Sequence, residues 1–308
     1  MKIAALLVNA QNAIQTEQQC SKQEASLEAR LLLQHLLNVN RAWLISHDTD
    51  AVESHTQISY ETLVERRVNG EPIAYILGER EFYGLQLKVT PDTLIPRPDT
   101  ETLVEAALAK TPSLSLPRRR ESSHASTSKQ KPLDSRLRGN DLLRVLDLGT
   151  GTGAIALAIA KHCPHAEVTA VDASESALKV AQENAQNLNI PNVQFVHSNW
   201  FDALEKQTFD VIVSNPPYIE ETDSHLSQGD LRFEPVSALA SGKDGLNDSR
   251  KIIQQAPAHL KPNGWLMLEH GHNQAAAVAT LLKESGFVDI NHALDLAGIQ
   301  RVTLGSIT

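Results

Sequence analysis

Residues 209–218, which read FDVIVSNPPY, carry the side chains whose types and spacing point most directly to chemistry. The β-branched residues at 211–213 predict a buried strand, and the prolines after Asn215 end it because neither has a backbone N–H to donate. Backbone carbonyls here are therefore free of the sheet. The Asn215 amide, the Pro216 carbonyl and the Tyr218 ring would form a slot for a planar group with N–H donors. A carboxamide or the amine of a nucleic-acid base would fit.

A second group of residues forms a glycine-rich turn, DLGTGTG, at positions 147–153. Gly149, Gly151 and Gly153 permit a tight turn and close approach of the backbone to a ligand, and the following helix presents free N–H groups. With Ala154, the first two glycines also satisfy the dinucleotide-binding fingerprint G-x-G-x-x-A, so a nicotinamide enzyme is an alternative.

Asp147 stands two residues before the first glycine, in a strand that should be buried. A buried carboxylate is costly unless a cation or hydrogen-bond donors face it. An ammonium or sulfonium ligand would supply a partner, whereas a pyrophosphate would be repelled. The alternative is that Asp147 accepts hydrogen bonds from nearby backbone N–H groups.

Two more candidate residues follow the ends of predicted strands. Asp172 lies about as far past the glycines as the acid that commonly binds ribose hydroxyls, and its alternative role is to cap the next helix. Trp200 would either lie against an adenine or close the edge of the sheet. His270 and His272 come without metal-ligand spacing, so no metal site is predicted.

The elements that must position these residues alternate between strand and helix from Leu143 onward. Seven strands are predicted, at 144–148, 167–171, 193–197, 211–214, 265–269, 288–292 and 301–304. Helical patterns lie between them at 154–162, 174–188, 249–260 and 274–285. This order predicts an α/β fold with a doubly wound sheet, which binds ligands at the carboxyl ends of its strands.

The first 97 residues have a different pattern. Residues 1–78 predict a small helical bundle that would recognise substrate, with apolar stripes at helical spacing formed by Leu27, Leu31, Leu32, Leu36, Leu63 and Val64. Residues 79–97 predict a linking β-hairpin with its turn near Pro91 and Asp92. The α/β domain would then span 98–308 and open with a helix that begins at Pro98.

Composition limits the classes of protein that remain. The chain has 308 residues, of which 41% are hydrophobic and 21% charged, as is usual for a soluble protein of two domains. The short apolar run at 3–8 lacks a convincing cleavage site, so we expect a cytoplasmic protein. Cys20 and Cys163 do not support a disulfide framework. The net charge of -9 argues against a long nucleic acid as main partner.

Residues 112–142 differ from the rest of the chain. They are rich in Ser, Arg and Lys, contain no aromatic residue and show no apolar period. Such a segment cannot bury enough surface to offset the entropy of ordering it, so it predicts a disordered insertion in the α/β domain. A basic tether for RNA is the alternative role.

Taken together, these motifs resemble those of class I S-adenosylmethionine methyltransferases. The fuller set is most similar to the protein-(glutamine-N5) methyltransferases that modify peptide chain release factors, the PrmC/HemK family. The resemblance is carried by REFYGLQLKVTPDTLIPRPDTE at 80–101, NPPYI from Asn215, GDLRFEP at 229–235 and LEHG from Leu268. It spans the chain except for 112–142. One departure is Asn199, where family members commonly have an acid.

The resemblance implies a Rossmann-like, seven-stranded methyltransferase sheet and a monomer that methylates a glutamine in the Gly-Gly-Gln motif of class I release factors. The implied S-adenosylmethionine site comprises Gly149, Thr150, Gly151, Thr152, Gly153, Asp172, Trp200 and Asn215. The implied substrate site comprises Asn215, Pro216, Pro217 and Tyr218, of which Asn215, Pro216 and Tyr218 would be catalytic. Neither a metal, a membrane nor a stable nucleic-acid complex is expected. An N-methyltransferase of DNA or RNA bases is the alternative; a nicotinamide oxidoreductase and a silent cofactor-binding module are more distant ones.

The composition of 112–142 generates a first prediction. Limited proteolysis of the purified chain should cut first within this segment, because proteases act on backbone that can leave the fold at low cost. Mass spectrometry of the earliest fragments would locate the cut. Early cleavage elsewhere, with 112–142 intact, would contradict the disordered-insertion hypothesis.

Overall fold

The structure is a computed structural model that describes residues 1–111 and 142–308. The predicted insertion therefore lies outside the described residues, except for Leu142. The described part contains ten α-helices, a two-stranded sheet and a seven-stranded sheet. In these two ranges, no helix combines the length and the apolar character that a bilayer crossing requires.

Five helices form the N-terminal region. They are α1 (Ile3–Gln18), α2 (Lys22–Leu37), α3 (Arg41–Ser46), α4 (Ser54–Val68) and α5 (Ile73–Leu77). Helix α2 begins with a capping box, in which Ser21 accepts from the N–H of Glu24 while the Glu24 carboxylate accepts from the N–H of Ser21. The buried Tyr60 hydroxyl on α4 donates to the Ala29 carbonyl on α2 at 2.9 Å. The predicted helical bundle is present.

The buried face of α2 differs from the predicted leucine stripe. Its buried residues are Ala25, Ala29, Leu32 and Leu33, whereas Leu27 is 55% exposed. The prediction was right for Leu32 and wrong for Leu27. Two alanines on the contact face let α1 and α4 approach closely, so small residues rather than the leucine count set the orientation of this helix.

A short hairpin follows the helices. Strands β1 (Glu79–Phe82) and β2 (Leu85–Lys88) pair antiparallel, and the turn between them is Tyr83–Gly84, with φ of 49° and 72°. A two-residue hairpin turn favours positive φ at both central positions, which proline cannot adopt. The predicted turn near Pro91 and Asp92 is therefore wrong; these residues lie in the loop after β2.

The large sheet has the predicted α/β architecture. Its strands are β3 (Arg144–Leu148), β4 (Glu167–Asp172), β5 (Val193–His197), β6 (Phe209–Ser214), β7 (Leu260–Glu269), β8 (Val288–Leu294) and β9 (Gln300–Ser306). Their spatial order is β5-β4-β3-β6-β7-β9-β8. The first five are parallel and β9 is antiparallel to both its neighbours. The seven-stranded Rossmann-like sheet is confirmed.

Helices cover both faces of this sheet. They are α6 (Glu101–Lys110), α7 (Ala154–His162), α8 (Glu175–Asn187), α9 (Asn247–Gln255) and α10 (Ala275–Glu284). Helices α6 and α7 pack with β1 and β2 into one apolar cluster, and α9 and α10 into a second. Helix α6 follows a 3₁₀ turn, Pro98–Thr100, in agreement with a helical start at Pro98.

Two arginines fasten the N-terminal helices to the α/β part. The buried Arg67 of α4 donates through Nε to Glu28 at 2.8 Å and through Nη1 to Asp230 at 3.1 Å. Arg232 Nη2 donates to the Asn69 carbonyl at 2.9 Å. The helices are therefore joined to residues 229–233.

Leu32 and Leu27 make a matched pair for testing the packing of α2. Leu32→Ala should lower the free energy of unfolding by about 2–5 kcal/mol, because it leaves a cavity in the bundle core. Leu27→Ala should change it by less than about 0.5 kcal/mol. Urea titrations followed by circular dichroism would measure both, and equal effects would contradict the packing described above.

Candidate active site

A cavity of about 510 Å³ lies at the carboxyl ends of β3, β4, β5 and β6. This is the edge at which open α/β sheets bind ligands. Of the residues predicted from sequence, Gly149, Gly151, Asp172, Trp200, Asn215 and Pro217 line it. The lining does not include Thr150, Thr152, Gly153, Pro216 or Tyr218.

The glycine turn forms one wall of the cavity. Gly149 and Gly151 have φ of 73° and 55°, in the left-handed region that glycine adopts without strain. A Cβ on Gly149 would stand 3.4 Å from the ring of Trp200, so this position is also tight. Trp200 thus packs on the turn and lines the cavity at once. Contact of Trp200 with an adenine stays a prediction.

Asp147 lies behind this turn, away from the cavity. It is fully buried, and its Oδ2 accepts from the Thr150 hydroxyl at 2.6 Å and from the Ala156 N–H at 3.2 Å. Burial raises the pKa of Asp147 to about 7. The prediction that a cationic ligand pairs with Asp147 is wrong, because the chain itself supplies the donors. Its Oδ1 has no partner in the described ranges.

Asp172 lies where the sequence predicted, at the end of β4. Its Oδ2 accepts from the Gly151 N–H and its Oδ1 from the Ser174 N–H, both at 2.9 Å. Burial raises the pKa of this carboxyl, while the backbone donors lower it. A carboxylate oxygen can accept more than one hydrogen bond, so Asp172 has capacity left for hydroxyl groups in the cavity.

The NPPY segment begins at the cavity and turns away from it. The half-buried Asn215 donates from Nδ2 to the Thr100 hydroxyl oxygen at 3.2 Å. The Tyr218 N–H donates to the Leu239 carbonyl at 3.2 Å, and the Tyr218 carbonyl accepts from Gln274 Nε2 at 3.0 Å. Burial raises the pKa of the Tyr218 phenol. Stacking of Tyr218 on a substrate amide stays a prediction.

Sequence reasoning missed two segments that line the cavity. These are the loop after β2, with Asp92, Thr93 and Leu94, and a stretch near 235–238 with Pro235, Ser237 and Ala238. The buried Glu234 joins them by accepting from the Ile95 N–H at 3.0 Å and pairing with Arg97. The first segment lies within the motif quoted above at 80–101, and the second begins at Pro235, the last residue of GDLRFEP. These two motifs were the available signal.

The charge of the cavity is one-sided. Asp92, Asp172 and Asp248 line it, and no Lys, Arg or His does so among the described residues. Such a lining favours a cationic ligand and opposes a pyrophosphate. This observation weighs against the nicotinamide alternative.

Neither His270 nor His272 lines the cavity. His270 is buried, with Nε2 at 2.8 Å from the Thr303 hydroxyl and Nδ1 at 2.9 Å from the Gly271 carbonyl. Burial lowers the pKa of His270, which disfavours its protonated form. Across residues 1–111 and 142–308, no group of three or more His, Cys, Asp or Glu could hold a metal ion.

The sheet order and a cavity over its glycine turn define a methyltransferase of the Rossmann-like class. Residues 140–297 match the family model described as a methyltransferase domain, and residues 10–78 match the PrmC N-terminal domain. The release factor glutamine methyltransferase of Bordetella pertussis is 47% identical over 91% of this chain and 94% of its own. That of Vibrio cholerae is 47% identical over 94% of this chain and 92% of its own. The chain belongs to the release factor glutamine methyltransferase family.

A solved structure supports the fold alone. The crystal structure of the hMettl16 catalytic domain in complex with MAT2A 3′UTR hairpin 6 superposes with a TM-score of 0.52. The match covers 83% of each chain at 14% sequence identity.

The buried carboxyl of Asp147 generates a prediction about stability. A folded-state pKa of about 7, above the ordinary aspartate value of 3.8, means that folding disfavours the ionised form. Below about pH 4, Asp147 is protonated in both the folded and the unfolded state, so it does not oppose folding. As the pH rises toward 7, it ionises in the unfolded state first, and the free energy of unfolding falls. Asp147→Asn should gain stability relative to the unsubstituted chain between about pH 5 and pH 8. Urea titrations at both pH values would measure the difference, and a constant difference would contradict the raised pKa.

Proposed function

We propose that this chain transfers the methyl group of S-adenosylmethionine to the side-chain amide nitrogen, N5, of the glutamine in the Gly-Gly-Gln motif of class I peptide chain release factors. The names of the relatives support the substrate class. The observation that carries the proposal is the position of Asn215. It stands at the end of β6 on the wall of an acidic cavity, with its side-chain nitrogen held by Thr100.

The cavity residues fit this cofactor. S-adenosylmethionine supplies a methyl group made electrophilic by a positively charged sulfonium, and it also carries an ammonium group. The acidic lining favours both charges. Asp172 would accept hydrogen bonds from ribose hydroxyls, and Trp200 and Asn199 would lie beside the adenine. Backbone groups of 149–153 would approach the cofactor, while the Thr150 side chain braces the turn from behind.

Positioning of the substrate amide accounts for the rate enhancement in this proposal. A carboxamide nitrogen is a weak nucleophile because its lone pair is delocalised. Asn215 Oδ1 and the Pro216 carbonyl would accept its two N–H bonds, which increases electron density on nitrogen and aims it at the methyl group. The bound cofactor would supply the methyl group, its carbon–sulfur bond breaking as the new nitrogen–carbon bond forms, and one amide proton would leave to water. Because Nδ2 of Asn215 is engaged by Thr100, Oδ1 remains for the substrate.

Two other features of the proposal follow from charge and substrate. The acidic cavity and the net charge of -9 oppose phosphate groups, so stable nucleic-acid binding and methylation of DNA or RNA bases are disfavoured. We further propose that the chain acts as a monomer in the cytoplasm, where release factors work. The helices at 1–78 would contact the release factor, since they border the 229–233 segment next to the cavity.

Mass spectrometry of a release factor would test the function. The purified factor, incubated with this chain and S-adenosylmethionine, should gain one methyl group on the glutamine of its Gly-Gly-Gln motif. Labelled methyl transferred to duplex DNA or RNA, but not to the factor, would overturn the proposal.

Asn215→Ala should separate substrate positioning from cofactor binding. Loss of one pre-positioned hydrogen bond to the reacting group should lower kcat by about 10²–10³-fold, whereas the Kd for S-adenosylmethionine changes only a few-fold. Steady-state kinetics and calorimetric titration would measure the two effects. Val288→Ala, at an exposed position at the start of β8 and outside the cavity lining, is the control. Equal losses in kcat and cofactor affinity would contradict the assigned role.

A further inference from the structure

A buried carboxyl group beside the NPPY segment has no role in the mechanism above. Glu269 is the last residue of β7 and is 1% exposed. Strands β6 and β7 pair Ser214 with Leu268, so Asn215 and Glu269 are the next residues on adjacent parallel strands. Glu269 Oε2 has no hydrogen-bond partner in the described part of the chain. A buried, incompletely satisfied carboxyl is costly, which calls for a functional reason.

Two polar side chains face this carboxyl, the Thr100 hydroxyl and the Asn215 amide. They also contact each other, since Asn215 Nδ2 lies 3.2 Å from Thr100 Oγ1. An ionised carboxylate can only accept hydrogen bonds, and a hydroxyl has a single proton to donate. If Thr100 donates that proton to Glu269, its oxygen is left to accept from Asn215. The Asn215 atom on this side must then be the nitrogen.

We propose that Glu269 is a positioning residue, whose ionised carboxyl fixes the Asn215 amide with Nδ2 toward Thr100 and Oδ1 toward the substrate amide. This inference rests on the proposed function, because it assigns Glu269 to the same methyl transfer. The orientation matters because a substrate carboxamide offers N–H donors. An Asn215 that presented its own N–H₂ group would oppose them instead of accepting from them.

Protonation of Glu269 removes this control. A neutral Glu269 carboxyl can donate a hydrogen bond to the Thr100 oxygen. The Thr100 hydroxyl proton is then free to point at Asn215, and the Asn215 amide can rotate so that its oxygen faces Thr100. Burial raises the pKa of Glu269 to about 7; Asp99 raises it further, and Thr100, Arg301 and Asn215 lower it. The Tyr218 phenol is the other titratable group whose charge is coupled to this carboxyl. Arg301 is itself held by Asp99 at 3.1 Å and Asp295 at 2.9 Å.

Kinetics of methyl transfer to a release factor, measured from about pH 6 to about pH 9, would test this role. For the unsubstituted chain, kcat should fall about tenfold per pH unit below about pH 7, as Glu269 takes up a proton. Glu269→Gln should lower kcat at about pH 8 by about 100-fold, since a misoriented amide costs a loss of that size. The residual kcat of Glu269→Gln should lack the acid limb, which is the fall in kcat below about pH 7. The Kd for S-adenosylmethionine should stay within about threefold.

Two substitutions of Thr100 form a matched pair, and they test the inference even if Glu269→Gln does not fold. Thr100→Ser keeps the hydroxyl and should retain both kcat and the acid limb. Thr100→Val has the same shape without the hydroxyl and should reproduce the loss in kcat and the flat pH profile. A purely structural role for the hydroxyl would lower thermal stability without flattening the profile.

The outcomes separate this inference from the proposed function. If the unsubstituted chain methylates no glutamine, the proposed function fails. If it does, and Glu269→Gln keeps the original kcat and acid limb, the positioning role is overturned. Equal behaviour of Thr100→Val and Thr100→Ser would overturn it as well.

Discussion

The alignment of parallel strands at one edge of the sheet is the constraint on which the site depends. Strands β3, β4, β6 and β7 run in the same direction and in register, so the residues after each of them meet at the same level. Gly149, Asp172, Asn215 and Glu269 come together in this way, although 120 residues of sequence separate the first from the last. Each strand places one of these residues at the edge of the sheet, and the hydrogen bonds between strands fix the spacing of the residues. Loops and side chains then only refine that arrangement.

Buried carboxyl groups recur around the cavity, and each fastens a different part of its wall. Asp147 holds the glycine turn from behind through Thr150 and Ala156. Glu234 joins the loop after β2 to the stretch near 235–238 through Ile95 and Arg97. Burial of such groups opposes folding. The two large apolar clusters on the faces of the sheet offset this cost, so the rigid wall is stabilised from a distance.

The sequence was sufficient for the sheet and for the residues at its strand ends. Strands 144–148 and 193–197 have the predicted bounds, because short segments with several apolar residues, set between helical patterns, are typical of strands in an α/β fold. Asp172 and Asn215 were predicted to line a site because topology alone places a strand's carboxyl end there. Asp147 obeys the same rule of position, yet its side chain points inward. A linear sequence does not show which of two possible donors, ligand or backbone, will reach a carboxylate.

Features set by contacts between distant segments were not predictable from local patterns. Leu27 is as apolar as Leu32, and only the approach of α1 and α4 decides which of them is buried. The hairpin turn at Tyr83–Gly84 needs positive φ at an aromatic residue, for which the chain gives no local signal. Thr93 and Pro235 both line the cavity because the segments that contain them are joined by one ion pair, between Arg97 and Glu234.

The connection between α6 and β3 has a consequence for how such an enzyme can change over time. Lys110, the last residue of α6, lies 3.7 Å over the ring of Trp265, and β3 begins at Arg144. Arg144 is the first residue of β3, and Trp265 pairs with Val211, which pairs in turn with Val145. Both residues therefore lie toward the margin of the sheet opposite the cavity. Sequence can therefore be gained or lost between these two points without displacing the reacting groups. Natural variation in length should accumulate at this margin, and it is also a suitable position for a purification or reporter tag.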